Sequence, residues 1–233
     1  MTTPMNPRPG AHVVRVDFDR HLTRLQDDLL ALGSMVEKAV VKALQSLKDR
    51  DLELSKQVVK EDDLIDRKRY QLEEQCVELI ATQQPIARDL RAIISVLHIS
   101  VELERMGDYA EGIGRISLMM GQEPPLKPLI DIPRMAEMAT SMLRRSLDAL
   151  VKRDADAAMA VCKDDDHVDA LYDQVYRELI FFMLQDPKTI QRATYLLWVA
   201  HDLERLADRA TNIAERVIFL VTGKMVEINV SKY

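Results

Sequence analysis

The sequence predicts an all-α protein made of two tandem, pseudo-symmetric three-helix bundles, with six long helices in total. Of the 233 residues, 30% are charged, 47% are hydrophobic and seven are glycine, which is typical of helical proteins. Apolar residues between Leu196 and Leu220 recur every three or four positions, as they do on a helix packed in a bundle. The chain also contains an internal repeat, and proline-rich sequence separates its two copies.

The helix boundaries follow from capping residues and from proline. Asp19, Asp51 and Asp154 can each cap the free amides of a following helix, and a proline tends to end one helix or begin the next. The predicted helices are helix 1 from Asp19 to about Lys48, helix 2 from Asp51 to about Gln84, helix 3 after Pro85, helix 4 from about Pro133 to Lys152, helix 5 from Asp154 to Leu184 and helix 6 from Pro187 to about Val221. The predicted division is a flexible N-terminal arm (1–17), the first bundle (18–121), a proline-rich linker (122–130), the second bundle (131–223) and a tail (224–233).

The two halves align along most of their length. The segment 58–66 matches 161–169 at an offset of 103, and 101–110 matches 201–210 at an offset of 100. The offset changes where the loop after helix 2 is longer than the loop after helix 5, as expected for a duplicated three-helix unit. The repeat is far longer than a solenoid period, so the pattern indicates two domains and not an array.

Both halves carry two acidic pairs, and each pair has a spacing of four residues. Helix 2 carries Asp62 and Asp66, helix 3 carries Glu104 and Asp108, helix 5 carries Asp165 and Asp169, and helix 6 carries Glu204 and Asp208. This spacing places both carboxylates of a pair on one helix face. If helices 2 and 3 are antiparallel neighbours, their two pairs converge, and the same holds for helices 5 and 6.

Two interpretations of these pairs stay open. A solvated polar face needs no further explanation, because like charges at this spacing cost only about 0.2–0.5 kcal/mol per pair. The repetition of both pairs favours cation binding instead, since four facing carboxylates repel unless a multivalent ion neutralises them. Oxygen ligands suit iron, manganese, magnesium or calcium. Residues that could complete such a site are Glu111, His201, Asp202, Asn212 and Glu215.

Arg105 and Arg205 each follow the glutamate of an acidic pair. They are either counter-charges behind a cation site or partners in local ion pairs, and the second interpretation is favoured because surface arginines often pair only locally.

Composition and missing motifs exclude several functions. A net charge of −6 argues against binding nucleic acid. No apolar run approaches the roughly 20 residues that span a bilayer, so we expect no direct membrane insertion, and the N-terminus does not have the pattern of a signal peptide. Two cysteines suit a reducing cytoplasm. The chain has no glycine-rich phosphate loop, nucleophile elbow or Cys-x-x-Cys motif, so we do not expect an enzyme.

The chain resembles the PhoU family of bacterial phosphate-signalling regulators over nearly its whole length. The segments that carry the resemblance are Glu61–Asp66, Gln83–Arg91, Leu103–Asp108 and Leu203–Glu215. The family fold, two tandem three-helix bundles, agrees with the fold that periodicity predicts.

The resemblance implies a negative regulator of phosphate uptake and of the phosphate-starvation response. Its implied partners are a phosphate ABC transporter and a sensor histidine kinase, and it leaves a homodimer open. Some family members bind iron or other metals through these acidic pairs, which makes iron the expected ion. The implied ligands are Asp62, Asp66, Glu104, Asp108, Asp165, Asp169, Glu204 and Asp208.

The sequence departs from the family pattern at Glu111-Gly-Ile-Gly114, where the second half has Thr211-Asn-Ile-Ala214. The first-half site is therefore expected to bind less well or to use Glu111. Two alternatives to the regulator remain. A di-metal carboxylate oxidase would need Glu-x-x-His pairs inside a bundle, which this sequence lacks, and a metal-free helical scaffold would bind partners through an apolar groove.

Overall fold

The computed structural model describes residues 9–226 of the chain, and the side chains of residues 17–226. The described residues form six long α-helices and no strand. The helices are α1 (Pro9–Asp49), α2 (Leu52–Gln83), α3 (Ala87–Met120), α4 (Asp131–Lys152), α5 (Ala155–Gln185) and α6 (Ile190–Thr222), and a short 3-10 turn, Pro187–Thr189, precedes α6. The predicted all-α class is confirmed.

The six helices pack as two antiparallel three-helix bundles. In the first bundle, Lys42 Nζ of α1 lies 2.6 Å from Glu61 Oε2 of α2, and Ser55 Oγ of α2 donates to Ser117 Oγ of α3 at 2.9 Å. In the second bundle, the Cys162 thiol of α5 lies 3.9 Å from the Thr211 carbonyl of α6. In both bundles the start of one helix meets the end of the next, as the predicted fold requires.

Helices α3 and α6 join the two bundles along an antiparallel seam. Glu102 on α3 accepts hydrogen bonds from Asn212 Nδ2 at 3.0 Å and from Arg209 Nη1 at 3.3 Å. The buried apolar side chains of both bundles form one continuous core. Leu103 and Leu203, at corresponding places on α3 and α6, are both fully buried. The two halves therefore share a core across the seam.

The duplicated halves begin their second helices with the same turn. Asp51 Oδ1 accepts hydrogen bonds from the next helix's free amides, the backbone N–H groups of Glu53 and Leu54, at 3.1 and 3.0 Å. Asp154 Oδ1 accepts the equivalent bonds at 3.0 and 2.9 Å. An arginine with positive φ precedes each cap, at 57° for Arg50 and 52° for Arg153. The predicted caps at Asp51 and Asp154 are confirmed.

The predicted start of helix 1 is wrong, because α1 begins at Pro9 and not at Asp19. Proline suits the first helical turn, and no residue between Gly10 and Asp19 breaks a helix. Asp19 lies inside α1, where its carbonyl oxygen accepts a hydrogen bond from Thr23 Oγ1 at 2.9 Å. The predicted flexible arm is therefore helical from Pro9 onward, and its residues 1–8 lie outside the described part.

The other boundaries differ by a few residues. Helix α4 begins two residues before Pro133, and the tail residues 227–233 lie outside the described part. None of the described helices combines the length and the apolar character that crossing a membrane requires.

Candidate metal centres

The packing of α2 against α3 brings the first-half acids together. Carboxylate oxygens of Asp62, Asp66 and Asp108 all lie within 4.8 Å of one another. Glu104 lies one turn before Asp108 on α3, and its pKa is raised by burial and by the charges of Asp108 and Asp66. We call Asp62, Asp66, Glu104 and Asp108 the first acidic cluster.

Asp62 is the most perturbed member of the first acidic cluster. Burial, followed by the charges of Glu111, Asp66, Asp108 and Glu104, raises its pKa to about 7. Its Oδ1 atom is buried, and no donor among the described residues reaches it. Two charges 4.8 Å apart repel by roughly 3 kcal/mol at an effective dielectric of about 20, so the cluster is strained whenever it is fully ionised.

Two arginines near this cluster, Arg105 and Arg115, are exposed, whereas Arg69, whose charge also acts on Glu104, is mostly buried. Arg105 is 3.3 Å from Asp108 Oδ2 and 3.7 Å from Glu104 Oε2, and it is 59% exposed. Arg115 Nη2 is 2.6 Å from Glu111 Oε1. None of these arginines donates to the buried Asp62 Oδ1, so the inner oxygen keeps its acceptor capacity. Arg105 makes local ion pairs, as favoured from the sequence.

The packing of α5 against α6 brings the second-half acids close enough for the charges of three of them to act on the fourth, Glu204. These acids are Asp165, Asp169, Glu204 and Asp208. We call these four the second acidic cluster. Burial raises the pKa of Glu204 to about 7, and the charges of Asp208, Asp169 and Asp165 add to the effect. Asp165 is 4% exposed. Glu204 Oε2 is buried and accepts no hydrogen bond from the described residues.

Two side chains border the second acidic cluster. His201 Nδ1 lies 3.7 Å from Glu204 Oε2, and burial and the Arg205 charge lower the pKa of His201, which favours a neutral imidazole that can act as an acceptor. Arg205 Nη1 lies 3.0 Å from Asp208 Oδ2, so it also makes the local ion pair favoured from the sequence.

Not every polar residue named from the sequence belongs to a cluster. Asn212 binds Glu102 in the seam between α3 and α6. Asp202 also lies in that seam, where it faces Gly112, and burial raises its pKa to about 7. Glu111 borders the first acidic cluster, since its charge contributes more to the raised pKa of Asp62 than the charge of any other residue does. Glu215 lies near Cys162, whose pKa it helps burial to raise to about 12.

The residues present fit a hard cation. The donors of both clusters are carboxylate oxygens, the ligands that iron, manganese, magnesium and calcium accept. A buried oxygen without a donor, Asp62 Oδ1 in the first cluster and Glu204 Oε2 in the second, is costly unless a proton or a metal ion occupies it.

Comparison with known proteins gives one consistent family. The model of the PhoU domain matches residues 29–117 and 132–217, one match in each half. A relative from Clostridium acetobutylicum, named phosphate-specific transport system accessory protein PhoU homolog, is 38% identical over 93% of this chain and 100% of its own length. A relative of the same name from Pseudomonas aeruginosa is 37% identical over 91% of this chain and 88% of its own length.

Solved structures agree with the sequence relatives. The crystal structure of PhoU from Pseudomonas aeruginosa superposes with a TM-score of 0.85 at 37% identity, covering 89% of this chain and 100% of that one. The phosphate transport system regulatory protein PhoU from Streptococcus pneumoniae gives 0.84 at 31% identity, covering 90% and 99%.

Proposed function

Because this chain belongs to the PhoU family, we propose that it is an accessory protein of a phosphate-specific transport system and a negative regulator of phosphate uptake. The names of the relatives, phosphate-specific transport system accessory proteins, support the transport role. The proposed place of action is the cytoplasm, where the chain links a phosphate ABC transporter to a sensor histidine kinase and represses the phosphate-starvation response. We propose neither an enzymatic activity nor a nucleic-acid partner.

The regulator is proposed to hold metal ions at its two acidic clusters. The observation that carries this proposal is the Asp62 carboxylate, which has a buried, donor-free Oδ1 and an oxygen within 4.8 Å of two further carboxylates. The ligands would be Asp62, Asp66, Glu104 and Asp108 in the first cluster, with Glu111 nearby, and Asp165, Asp169, Glu204 and Asp208 in the second. A bound cation would neutralise carboxylates that otherwise repel one another. Iron is the expected ion, and manganese, magnesium and calcium are the alternatives.

The exposure of the clusters suits an adaptor. The side chain of Asp108 is 40% exposed and that of Glu104 is 17% exposed, so the first cluster has a buried inner oxygen and an outer edge that a partner can contact. The outer edge is the proposed contact for a basic surface of the transporter or kinase, or for phosphate. An oxidase centre would instead place its ligands inside a bundle, and the exposure of Asp108 does not favour that function.

The test is the double variant Glu104→Ala with Asp108→Ala, and the control is Asp63→Ala. Asp63 lies next to Asp62 in sequence but is exposed on α2. The control substitution therefore removes a carboxylate that does not belong to the cluster. Elemental analysis of protein purified without chelator or affinity-tag metal should show less bound metal in the double variant only. Phosphate uptake and starvation-response transcription in cells grown with ample phosphate should rise in the double variant and stay repressed in the control.

Two results would contradict the proposal. Metal-free wild-type protein that still represses uptake would favour a metal-free scaffold. Normal repression by a double variant that has lost its metal would separate the regulatory role from the clusters.

A further inference from the structure

The cores beside the two acidic clusters differ at a pair of positions that contact each other. Gly107 on α3 corresponds to Ala207 on α6, and Ile65 on α2 corresponds to Val168 on α5. The pair Ile65 and Gly107 has the same number of side-chain carbons as the pair Val168 and Ala207. All four residues are buried. In the first half the additional methyl group belongs to Ile65 on α2, and in the second half it belongs to Ala207 on α6.

The missing methyl group of Gly107 lies directly beside the first acidic cluster. A Cβ at Gly107 would lie 3.1 Å from Asp62 Oδ1, 3.0 Å from Ile65 Cγ2 and 3.1 Å from Ile65 Cδ1. These distances are shorter than normal van der Waals contacts. Ile65 is only 3% exposed, and a close-packed core leaves it little room to move.

A second glycine repeats the contact two turns later. A Cβ at Gly114 would lie 3.3 Å from Val58 Cγ1 and 3.4 Å from the Ser55 carbonyl oxygen, both on α2. The corresponding residue on α6 is Ala214. Helices with glycine at their contact can approach more closely than helices with alanine, and α3 has glycine at both positions.

We infer that Gly107 sets the spacing of the first acidic cluster and makes it the tighter of the two cation sites, with a preference for a small divalent ion. This inference rests on the proposed function, since it presumes that the clusters bind cations. It opposes the expectation from the sequence that the first-half site binds less well. Among the described side chains, three carboxylates approach within 4.8 Å of one another in the first half only.

Small changes in helix spacing matter because cation radii differ by a few tenths of an ångström. Oxygen ligands lie about 2.0–2.1 Å from Mg²⁺ and about 2.3–2.6 Å from Ca²⁺, and Ca²⁺ accepts a more flexible ligand set. An alanine at 107 that moves α2 away from α3 separates Asp62 and Asp66 from Asp108. The first site should therefore lose affinity for a small ion and lose less affinity for Ca²⁺.

The test isolates the first site in a Glu204→Ala, Asp208→Ala background. Mn²⁺ binding is measured by electron paramagnetic resonance and Ca²⁺ binding by calorimetry. Gly107→Ala should weaken Mn²⁺ binding at least tenfold and Ca²⁺ binding by a smaller factor. Gly112→Ala is the matched control, because its new Cβ makes an equally close contact, 2.9 Å from Asp202 Oδ2, but with α6 and not with α2, and it should leave both affinities unchanged.

A compensating variant tests the packing argument. Ile65→Val removes Cδ1, one of the atoms that the new methyl group would contact, and converts the pair to the combination found in the second half. Gly107→Ala with Ile65→Val should regain part of the Mn²⁺ affinity, although neither residue offers a ligand atom. Chemical unfolding in chelator should show that both variants fold.

The outcomes separate the inference from the proposed function. Wild-type protein that binds neither Mn²⁺ nor Ca²⁺ would overturn both. Wild-type protein that binds Mn²⁺, with the same affinity after Gly107→Ala, would overturn the inference alone. Equal losses of Mn²⁺ and Ca²⁺ affinity, with no recovery on Ile65→Val, would also overturn it, because that result describes local damage and not altered spacing.

Discussion

Replacing Asp62 with asparagine should stabilise the metal-free protein at about pH 8 and destabilise the metal-loaded protein. The Asp62 pKa is raised from 3.8 to about 7 in the folded state by burial and by neighbouring carboxylates. Below about pH 4 the group is protonated in both the folded and the unfolded chain, so it has no effect on stability. Between about pH 4 and pH 7 the folded state holds more protons, so stability falls as the pH rises.

The magnitude follows from the same pKa. A change from 3.8 to about 7 corresponds to about 4 kcal/mol, at about 1.4 kcal/mol per pH unit. Water and salt screen the solvent-facing part of the cluster, so we expect Asp62→Asn to raise the free energy of unfolding by about 1–2 kcal/mol at pH 8. At about pH 5 the gain should be much smaller. With saturating Mn²⁺ the sign should reverse, since a ligand that binds only the folded state stabilises it.

The assay is urea unfolding followed by circular dichroism at about pH 5 and pH 8, with EDTA or with Mn²⁺. Asp63→Asn is the control, because Asp63 is exposed on the same helix and should give changes within about 0.5 kcal/mol under all four conditions. Asp62→Asn that destabilises the protein equally at both pH values in EDTA would refute the electrostatic reasoning. The substitution would then have removed a favourable contact of the carboxylate and not a repelling charge.

Two further predictions concern the seam and the helix caps. Gly112→Asn should stabilise the protein by about 1 kcal/mol, because the new amide can donate to Asp202 as Asn212 donates to Glu102 at the corresponding place in the seam. The new Cβ would lie 2.9 Å from Asp202 Oδ2, so the gain requires the Asp202 side chain to rotate. The melting temperature should rise, and Gly112→Ala, which adds the close contact without the donor, should not reproduce the rise. Asp154→Ala should lower the free energy of unfolding by about 1 kcal/mol, because Asp154 accepts two hydrogen bonds from free amides at the start of α5; denaturant unfolding measures the loss, and an unchanged midpoint would contradict the capping role.

The parts of the fold that depend on local chemistry could be predicted from the sequence. Asp51 and Asp154 cap their helices because a carboxylate before a helix satisfies amides two and three residues later. The bundle arrangement followed from the apolar spacing and the duplication. The start of α1 was not predicted correctly, because aspartate is a residue type that often caps helices and Asp19 was taken as the cap. No residue just before Asp19 breaks the helix, so α1 continues back to Pro9.

The sequence predicted which residues form the acidic clusters but not how buried each carboxylate oxygen is. Spacing puts two acids on one helix face, and antiparallel packing brings two faces together. Spacing does not show which oxygen is buried. Only the structure shows that Asp62 Oδ1 and Glu204 Oε2 are buried without a hydrogen-bond donor among the described residues. Asp202 and Asn212 were grouped with the acids because they lie near them in sequence, yet they face the opposite helix of the seam.

Gly107 was missed, although the signal was in the sequence. The two halves differ there by glycine against alanine, and the compensating difference between Ile65 and Val168 lies 42 positions away from Gly107. Comparing each core residue of the first half with its counterpart in the second half would have shown that Gly107 with Ile65 is replaced by Ala207 with Val168. Its meaning still required the distance between the absent Cβ and Asp62.

The seam between α3 and α6 has a consequence for how the protein can change over time. Two separate copies of one three-helix unit, joined around a twofold axis, would have to place the same side chains on both sides of their contact. In the fused chain each side has changed separately, so that one side holds Glu102 with Arg209 and Asn212 while the other holds Asp202 opposite Gly112. Covalent fusion thus allows the two acidic clusters, and the two halves of one contact, to change independently of each other within a single gene.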